Sequence, residues 1–506
     1  MTKKCVNKGK CSLIDQFLCT GLGIYNILHM LMSGIILMGV IMQSMSLSYI
    51  MPAAQCDLNL GLENKGWLAA IPFTAMILTS HMWGFLADTR GRRPMMMLSM
   101  LVSVLLSVLA SFAPNLPVFA VLTFFSAIFM SGPSAVIYTY LGEFNNLQHR
   151  DKMVAFGASF VGIGTVLLPA VAWLILPTDF AWPIPWLGIY YRPWRLLVVA
   201  AAVPYTIGVL LLFLAPESPK FLNAKGRYEE SLEIVKKMYA VNKWTTPENF
   251  PVSIYSKIKL VLSAMWNQTA PLFQGKLLKW TCLTCFVQYG IFSACNGFYV
   301  WFPTILNSLA NHAGAETRIC DILDASQKIA DNATDVVCDD TMSTETFERS
   351  IYIGLVFCSM YLVVGFLVDL VGKKLILLVI LAGSGLCGIG AHLANSQQTA
   401  VVLFAVFQMS GACIGMMNAV AVELFPTRYR AMAVCLSMMM GRLGSVVGSN
   451  LIGVFMRTNC GVSFYLFGGL LLVCCAICLT LPGKRKNIKQ SKKSVEPTQN
   501  ETHEPV

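Results

Sequence analysis

Apolar residues run along this chain in twelve blocks, each closed by a short polar or charged stretch. A helix needs about 20 such residues to cross hydrocarbon. The blocks fall at 26–52, 66–87, 95–113, 118–141, 153–176, 195–215, 280–306, 351–369, 374–394, 400–422, 431–456 and 462–481, and predict twelve transmembrane helices. The stretch 216–279 interrupts the pattern. From Tyr228 it reads as an amphipathic helix, with Tyr228, Leu232, Val235 and Tyr239 on one face and Glu233 and Lys237 spaced for an i,i+4 pair. The expected division is an N-terminal segment 1–25, a six-helix bundle 26–215, a linker 216–279, a second bundle 280–481 carrying a polar loop 309–349, and a disordered tail 482–506.

Composition agrees with an all-α membrane protein. The chain is 56% hydrophobic and 12% charged, about half the charge of an average soluble protein. Of its 37 Lys and Arg, 29 fall in segments that alternate with those holding another seven, and Arg442 lies inside a span. By the positive-inside rule both termini are predicted cytoplasmic, in a plasma or vesicle membrane. The +11 net charge is thereby explained by orientation in a lipid bilayer, and no nucleic-acid partner is expected. Loop 309–349 is predicted outside. It holds nine acids and an acceptor pattern for glycosylation at Asn332. Cys320 and Cys338 flank that pattern as the pair an oxidising compartment would bridge. Most of the 17 cysteines otherwise sit inside apolar runs, and with six histidines they give no zinc spacing. No cofactor or metal is expected, and no nucleotide loop or nucleophile–base pattern points to an enzyme.

The polar punctuation repeats. Gly84 to Arg93 reads GFLADTRGRR and Gly365 to Lys374 reads GFLVDLVGKK, while Glu143 to Arg150 matches Glu423 to Arg430 more loosely. Two six-helix halves with the same punctuation imply a duplicated bundle. In transporters of that kind the substrate lies between the halves near the midplane.

The Gly84–Arg93 string resembles the signature loop between helices two and three of the major facilitator superfamily. Pro216 to Phe221 resembles the motif that closes the sixth helix in its sugar and organic-ion branches. Pro52 to Leu68, Trp194-Arg195 and Val300 to Pro303 are similar to the synaptic vesicle glycoprotein 2 group. The resemblance covers about residues 20–481 and implies alternating access. It also implies a gate at the cytoplasmic surface, built from Asp88, Arg92, Arg93, Glu143, Arg150 and Glu217 in one half and Asp369, Lys373, Glu423, Arg428 and Arg430 in the other. The second half departs from the family pattern after the twelfth helix, where Leu481-Pro482-Gly483-Lys484 supplies no carboxylate.

Proton-coupled relatives place an acid in the first helix and an arginine in the fourth; here those positions fall at Gln43 and Thr123. Standard proton symport therefore lacks its carrier, with His29 and His81 the remaining titratable groups. Ionisable residues inside a membrane are functional candidates, and Arg442 lies twelve residues past Arg430, about 18 Å along the helix. Gly441, Gly444 and Gly448 flank it, and a substrate carboxylate or phosphate is its expected partner. Gln43, Gln288, Asn296, Tyr299, Trp301 and Asn418 complete the expected cavity, while Trp182, Trp186 and Trp194 read as an interfacial belt. The expected protein is a monomeric carrier of a small organic solute, with an organic anion the chemistry Arg442 indicates. The rival expectation is a non-transporting vesicle or receptor protein that keeps the fold and binds partners.

Overall fold

The computed structural model of the protein describes residues 20–146, 149–250, 270–310, 320–322, 341–426 and 429–482. The first half comprises α1 (Ile24–Met45), α2 (Leu47–Ala53), α3 (Leu62–Arg90), α4 (Arg92–Ser111), α5 (Leu116–Glu143), α6 (Arg150–Ile175), a hairpin of β1 (Trp182–Ile184) and β2 (Ile189–Tyr191), then α7 (Pro193–Ala201) and α8 (Val203–Leu214). The linker contributes α9 (Pro219–Ala224) and α10 (Tyr228–Lys243). The second half comprises α11 (Gly275–Ala310), α12 (Thr344–Val371), α13 (Lys373–Leu393), α14 (Gln397–Gln408), α15 (Cys413–Leu424), α16 (Arg430–Thr458) and α17 (Cys460–Cys478). Among the described residues, eleven spans are long and apolar enough to cross a membrane. The seventh, α11, is not among them because Thr281, Thr284, Gln288, Ser293 and Asn296 dilute its apolar run.

Three of the twelve spans are broken helices. In the first, Ser44, Ser46 and Ser48 return their hydroxyls to the carbonyls of Ile41, Gln43 and Met45, which loosens the ladder where α1 gives way to α2. The sixth breaks at Ala202, just before Pro204, and the tenth passes through a 3-10 turn, Met409–Ala412. Hydropathy does not show these breaks, because a few small or hydroxyl residues leave the averaged apolar run intact.

Each half has its own core, and that of the first half continues into Val300 and Phe347 of the second. α16 lies against α11 through glycines that admit nothing larger: a Cβ at Gly444 would stand 2.3 Å from the Tyr289 carbonyl, and one at Gly448 2.4 Å from the Ser293 carbonyl. The duplicated loop is duplicated in conformation as well. Gly91 and Gly372 both take positive φ, 116° and 94°, between a helix that ends and one that begins. Asp88, Glu143, Glu217, Lys373, Glu423, α9 and α10 share one end of the bundle, called here the linker face. Asp57, the hairpin, Cys320 and Cys460 share the opposite face.

Two expectations are corrected here. Cys320 is bonded to Cys460 at the start of α17, not to Cys338; nearness in sequence was a poor guide once a distant helix started on the same face. Cys338 and Asn332 lie outside the described residues, and Cys56 is also disulfide-bonded. Trp182 and Trp186 are exposed, as a belt requires, but Trp194 is buried. Its Nε1 donates to Asp57 Oδ2 at 3.1 Å, and its ring lies under the Arg195 guanidinium.

Candidate functional site

The seam between the halves is made in part by α3 and α16, and Arg442 is the charged group at its centre. Its guanidinium reaches across the seam to the first half, donating to Ser80 Oγ of α3 and, at 3.0 Å, to Ser134 Oγ of α5. Ser80 in turn meets Ser131 Oγ at 3.2 Å. Arg442 is buried, and no described carboxylate pairs with it. His81 and Tyr138 lie near enough to feel its charge. A guanidinium has five donors and no acceptor, so two neutral hydroxyls leave it electrostatically uncompensated. The serines carry no sequence signal that separates them from ordinary helix serines, which is why only the arginine stood out.

The other expected cavity residues do not converge on Arg442. Gln288 donates to Asn418 Oδ1 at 2.8 Å and faces Met438 Sδ, to which Asn418 also donates at 3.2 Å. These three join α11, α15 and α16 inside the second half, and the Gln288 Oε1 is buried without a partner. Asn296 donates to Ser445 Oγ at 3.1 Å, one turn beyond Arg442 on α16. Tyr299 lines a separate small cavity with Tyr49, Thr165, Phe357 and Gln408. Trp301 is a correction: it is fully buried, donates to the Ser449 carbonyl at 2.9 Å and fills the notch left by Gly453, so it faces neither cavity nor lipid interface.

Gln43 is held within the first half. Its Nε2 lies 3.1, 2.5 and 3.1 Å from the hydroxyls of Ser103, Ser107 and Ser126, among which its two hydrogens are shared, beside a second small cavity that Thr123 and Pro72 also line. Gln43 is therefore part of a neutral hydrogen-bond cluster. His29 lies in an aromatic cage, with ring centroids 4.0 Å from Phe144 and 4.9 Å from Tyr140.

At the linker face, Arg92 pairs with Asp88 at 2.8 Å and Glu143 at 3.1 Å, and its guanidinium lies over Phe221. Glu217 accepts from the backbone amides of Arg92, Arg93 and Ser218 at 3.2, 3.3 and 2.7 Å, capping the start of α4 with negative charge. Burial pushes its carboxyl above the usual carboxylate range despite those amides. Arg150 packs over Gly142. In the second half Lys373 pairs with Glu423; the side chains of Asp369 and Arg430, and residue Arg428, lie outside the described set. Every described ion pair at this face stays within one half. The halves touch through packing instead: at the opposite face Tyr49 stacks on Phe347 with centroids 6.5 Å apart and Gly66 of α3 faces Asn450 of α16, and toward the linker face Phe156 of α6 meets Phe366 of α12.

Two six-helix bundles, a duplicated charged turn and a buried cation on the seam between them define a multi-pass membrane protein of the transporter type. The sequence pattern described as Major Facilitator Superfamily matches residues 32–317 and 350–503, and the chain belongs to that superfamily. It is 26% identical over 289 residues to synaptic vesicle glycoprotein 2C of Mus musculus, covering 52% of this chain and 40% of that protein. It is 25% identical over 287 residues to synaptic vesicle glycoprotein 2B of Homo sapiens, covering 51% and 42%. The match thus spans about two fifths of these relatives' length. Among solved structures, the xylose transporter XylE from E. coli in a partially occluded inward-open conformation superposes with a TM-score of 0.64 at 14% identity, covering 91% of this chain and all of that one. A second XylE structure, bound to 6-bromo-6-deoxy-D-glucose, gives 0.64 at 15% identity, covering 90% and 96%.

Proposed function

We propose that this protein carries a small organic anion across a membrane by alternating access, without standard proton coupling. The observation that carries the reading is Arg442: a buried cation at the seam whose described partners are two serine hydroxyls of the opposite half. Removing a charge from water costs several kcal/mol unless an opposite charge compensates it, and an anionic substrate supplies that compensation when it replaces the serines. A closed opposite face and linker-face ion pairs confined to each half are the arrangement of a carrier that opens toward its linker. The neutral Gln43 cluster supports transport that does not draw on a proton gradient.

In the cycle, a carboxylate or phosphate entering the seam takes the Arg442 donors. Ser80 and Ser134 are then freed, the hydrogen bonds that joined the halves at the midplane are lost, and the halves can rock. Gln288, Asn296, Asn418 and Tyr299 offer amide and phenol groups toward the solute's uncharged part once the halves part. We place both termini and the linker in the cytoplasm, with a monomer as the transport unit in a plasma or vesicle membrane. Proteoliposomes tested with a panel of organic anions, with and without a pH gradient, should show uptake that the gradient leaves unchanged and that Arg442→Gln abolishes at preserved insertion. Equal uptake by wild type and Arg442→Gln overturns the assignment. The second reading, a partner-binding protein that does not transport, rests on the same neutral Gln43 cluster, and absence of uptake for every solute favours it.

A further inference from the structure

We infer that Lys65 is a second cationic station on the same seam, an entry site for the organic anion at the opposite face; this rests on the anion reading of Arg442. Lys65 is only 4% exposed, which is rare for a lysine with no acidic partner among the described side chains. Its Nζ donates to Gln55 Oε1 at 2.6 Å, and no described carboxylate pairs with it. Asp57, the acid of the preceding loop, is already engaged by Arg192, Arg195 and Trp194, and the side chain of Glu63 lies outside the described set.

Its position matters as much as its burial. The next residue, Gly66, faces Asn450 of α16, so Lys65 stands where the two halves touch. Fifteen residues further along α3, roughly 22 Å at the helical rise, Ser80 receives Arg442 from α16. The two cations therefore lie on one α3–α16 seam, one at its rim and one at its middle, and α16 itself contains no acidic residue. When the opposite face parts, the contact beside Gly66 is lost and Lys65 meets solvent at the mouth of the opening. Its ammonium then holds an incoming carboxylate or phosphate before Arg442 does. When that face closes again, as here, Gln55 takes the ammonium back. A neutral amide suits that alternation, since a carboxylate in its place would hold the lysine permanently.

Benzoate is the probe, with the full chain reconstituted in proteoliposomes of defined orientation. Lys65→Gln should raise the benzoate KM about tenfold when benzoate is supplied at the Lys65 face, and change it by less than about twofold from the linker face. Lys65→Arg should restore the wild-type value. Gln55→Glu, which keeps the lysine but gives it a permanent partner, should raise the same one-sided KM, and it serves as the test if Lys65→Gln fails to insert. If both variants leave the KM unchanged while Arg442→Gln abolishes uptake, the entry site is wrong and the Arg442 reading stands. If the wild-type chain neither transports benzoate nor is stabilised by it against heat, both fall together.

Discussion

Arg93 and Lys374 stand at matching places in the two halves and make matching contacts. Arg93 donates to the Leu212 and Phe213 carbonyls at 3.1 and 2.7 Å, and Lys374 to the Leu479 and Leu481 carbonyls at 2.7 and 2.5 Å. Each cation thus caps the end of its half's last span, where the helix leaves carbonyls unsatisfied and negative. Arg93→Met and Lys374→Met should each cost about 1–2 kcal/mol of stability, read as a lower thermal midpoint of the purified chain. A much larger loss in one half than in the other would mean that the correspondence is only positional.

The linker-face pairs are unequal partners of Arg92. Asp88 has a side chain 59% exposed, whereas Arg92 and Glu143 are each 12% exposed. An exposed ion pair contributes about 0–1 kcal/mol, while removing one partner of a largely buried pair leaves the other charge stranded at about 3 kcal/mol or more. Glu143→Gln should therefore destabilise the protein clearly more than Asp88→Asn when both are unfolded in the same detergent. Asp88→Asn should act mainly on conformational balance, seen as greater labelling from the linker face at nearly unchanged stability.

Glu217 gives this face a pH dependence of definite sign. Its carboxyl titrates above the ordinary range because burial disfavours the charged form. The folded protein then binds that proton more tightly than the unfolded chain does. Stability from this group rises as pH falls from the raised folded value toward the ordinary carboxylate value, and is lost as pH rises back. In Glu217→Gln the group no longer titrates. The thermal midpoint of wild type relative to Glu217→Gln should increase on acidification through that window; a constant or decreasing difference contradicts the burial assignment.

Much of the architecture is legible in the sequence. The spans follow from apolar run length, and the duplication follows from Gly84–Arg93 and Gly365–Lys374, whose glycines turn out to share one backbone conformation. The breaks in the first, sixth and tenth spans were not legible, because serine–carbonyl bonds and local turns leave hydropathy unchanged. Arg442 announced itself by charge; Ser80 and Ser134, which receive it, are uncharged and 54 residues apart. Trp301 misled for a related reason: an aromatic tip on the helix of Gln288, Asn296 and Tyr299 suits a cavity, and only packing against Gly453 shows it belongs to the interior. Lys65 was counted with the loop cations, since a sequence does not report burial.

The neutral cluster at Gln43 can be made titratable. Three serine hydroxyls already surround the amide within hydrogen-bond range, so an Asp at that position finds donors in place and no described cation nearby. Gln43→Asp should acquire a pH-dependent transport rate that wild type lacks. Gln43→Leu should instead leave the serines short of a partner and cost about 1–3 kcal/mol. If Gln43→Asp transports with the pH profile of wild type, the cluster lies off the coupling path.

The serine latch on Arg442 sets a prediction opposite in direction to a simple contact. If Ser134 were a substrate ligand, removing its hydroxyl would weaken binding. In the seam its Oγ accepts from Arg442 at 3.0 Å when no anion is present, so it competes with substrate for the same donors. Ser134→Ala removes one competitor and leaves the guanidinium with a single described hydroxyl partner, Ser80. The apparent affinity for a transported anion should then rise by about two- to tenfold, the equivalent of one neutral hydrogen bond. The maximal rate should change less, because closure relies on packing along the whole α3–α16 seam. Uptake kinetics for wild type, Ser134→Ala and Ser134→Thr separate the cases: Thr keeps the acceptor and should behave as wild type. A raised KM in Ser134→Ala would make the serine a ligand of the substrate and remove the exchange from the mechanism.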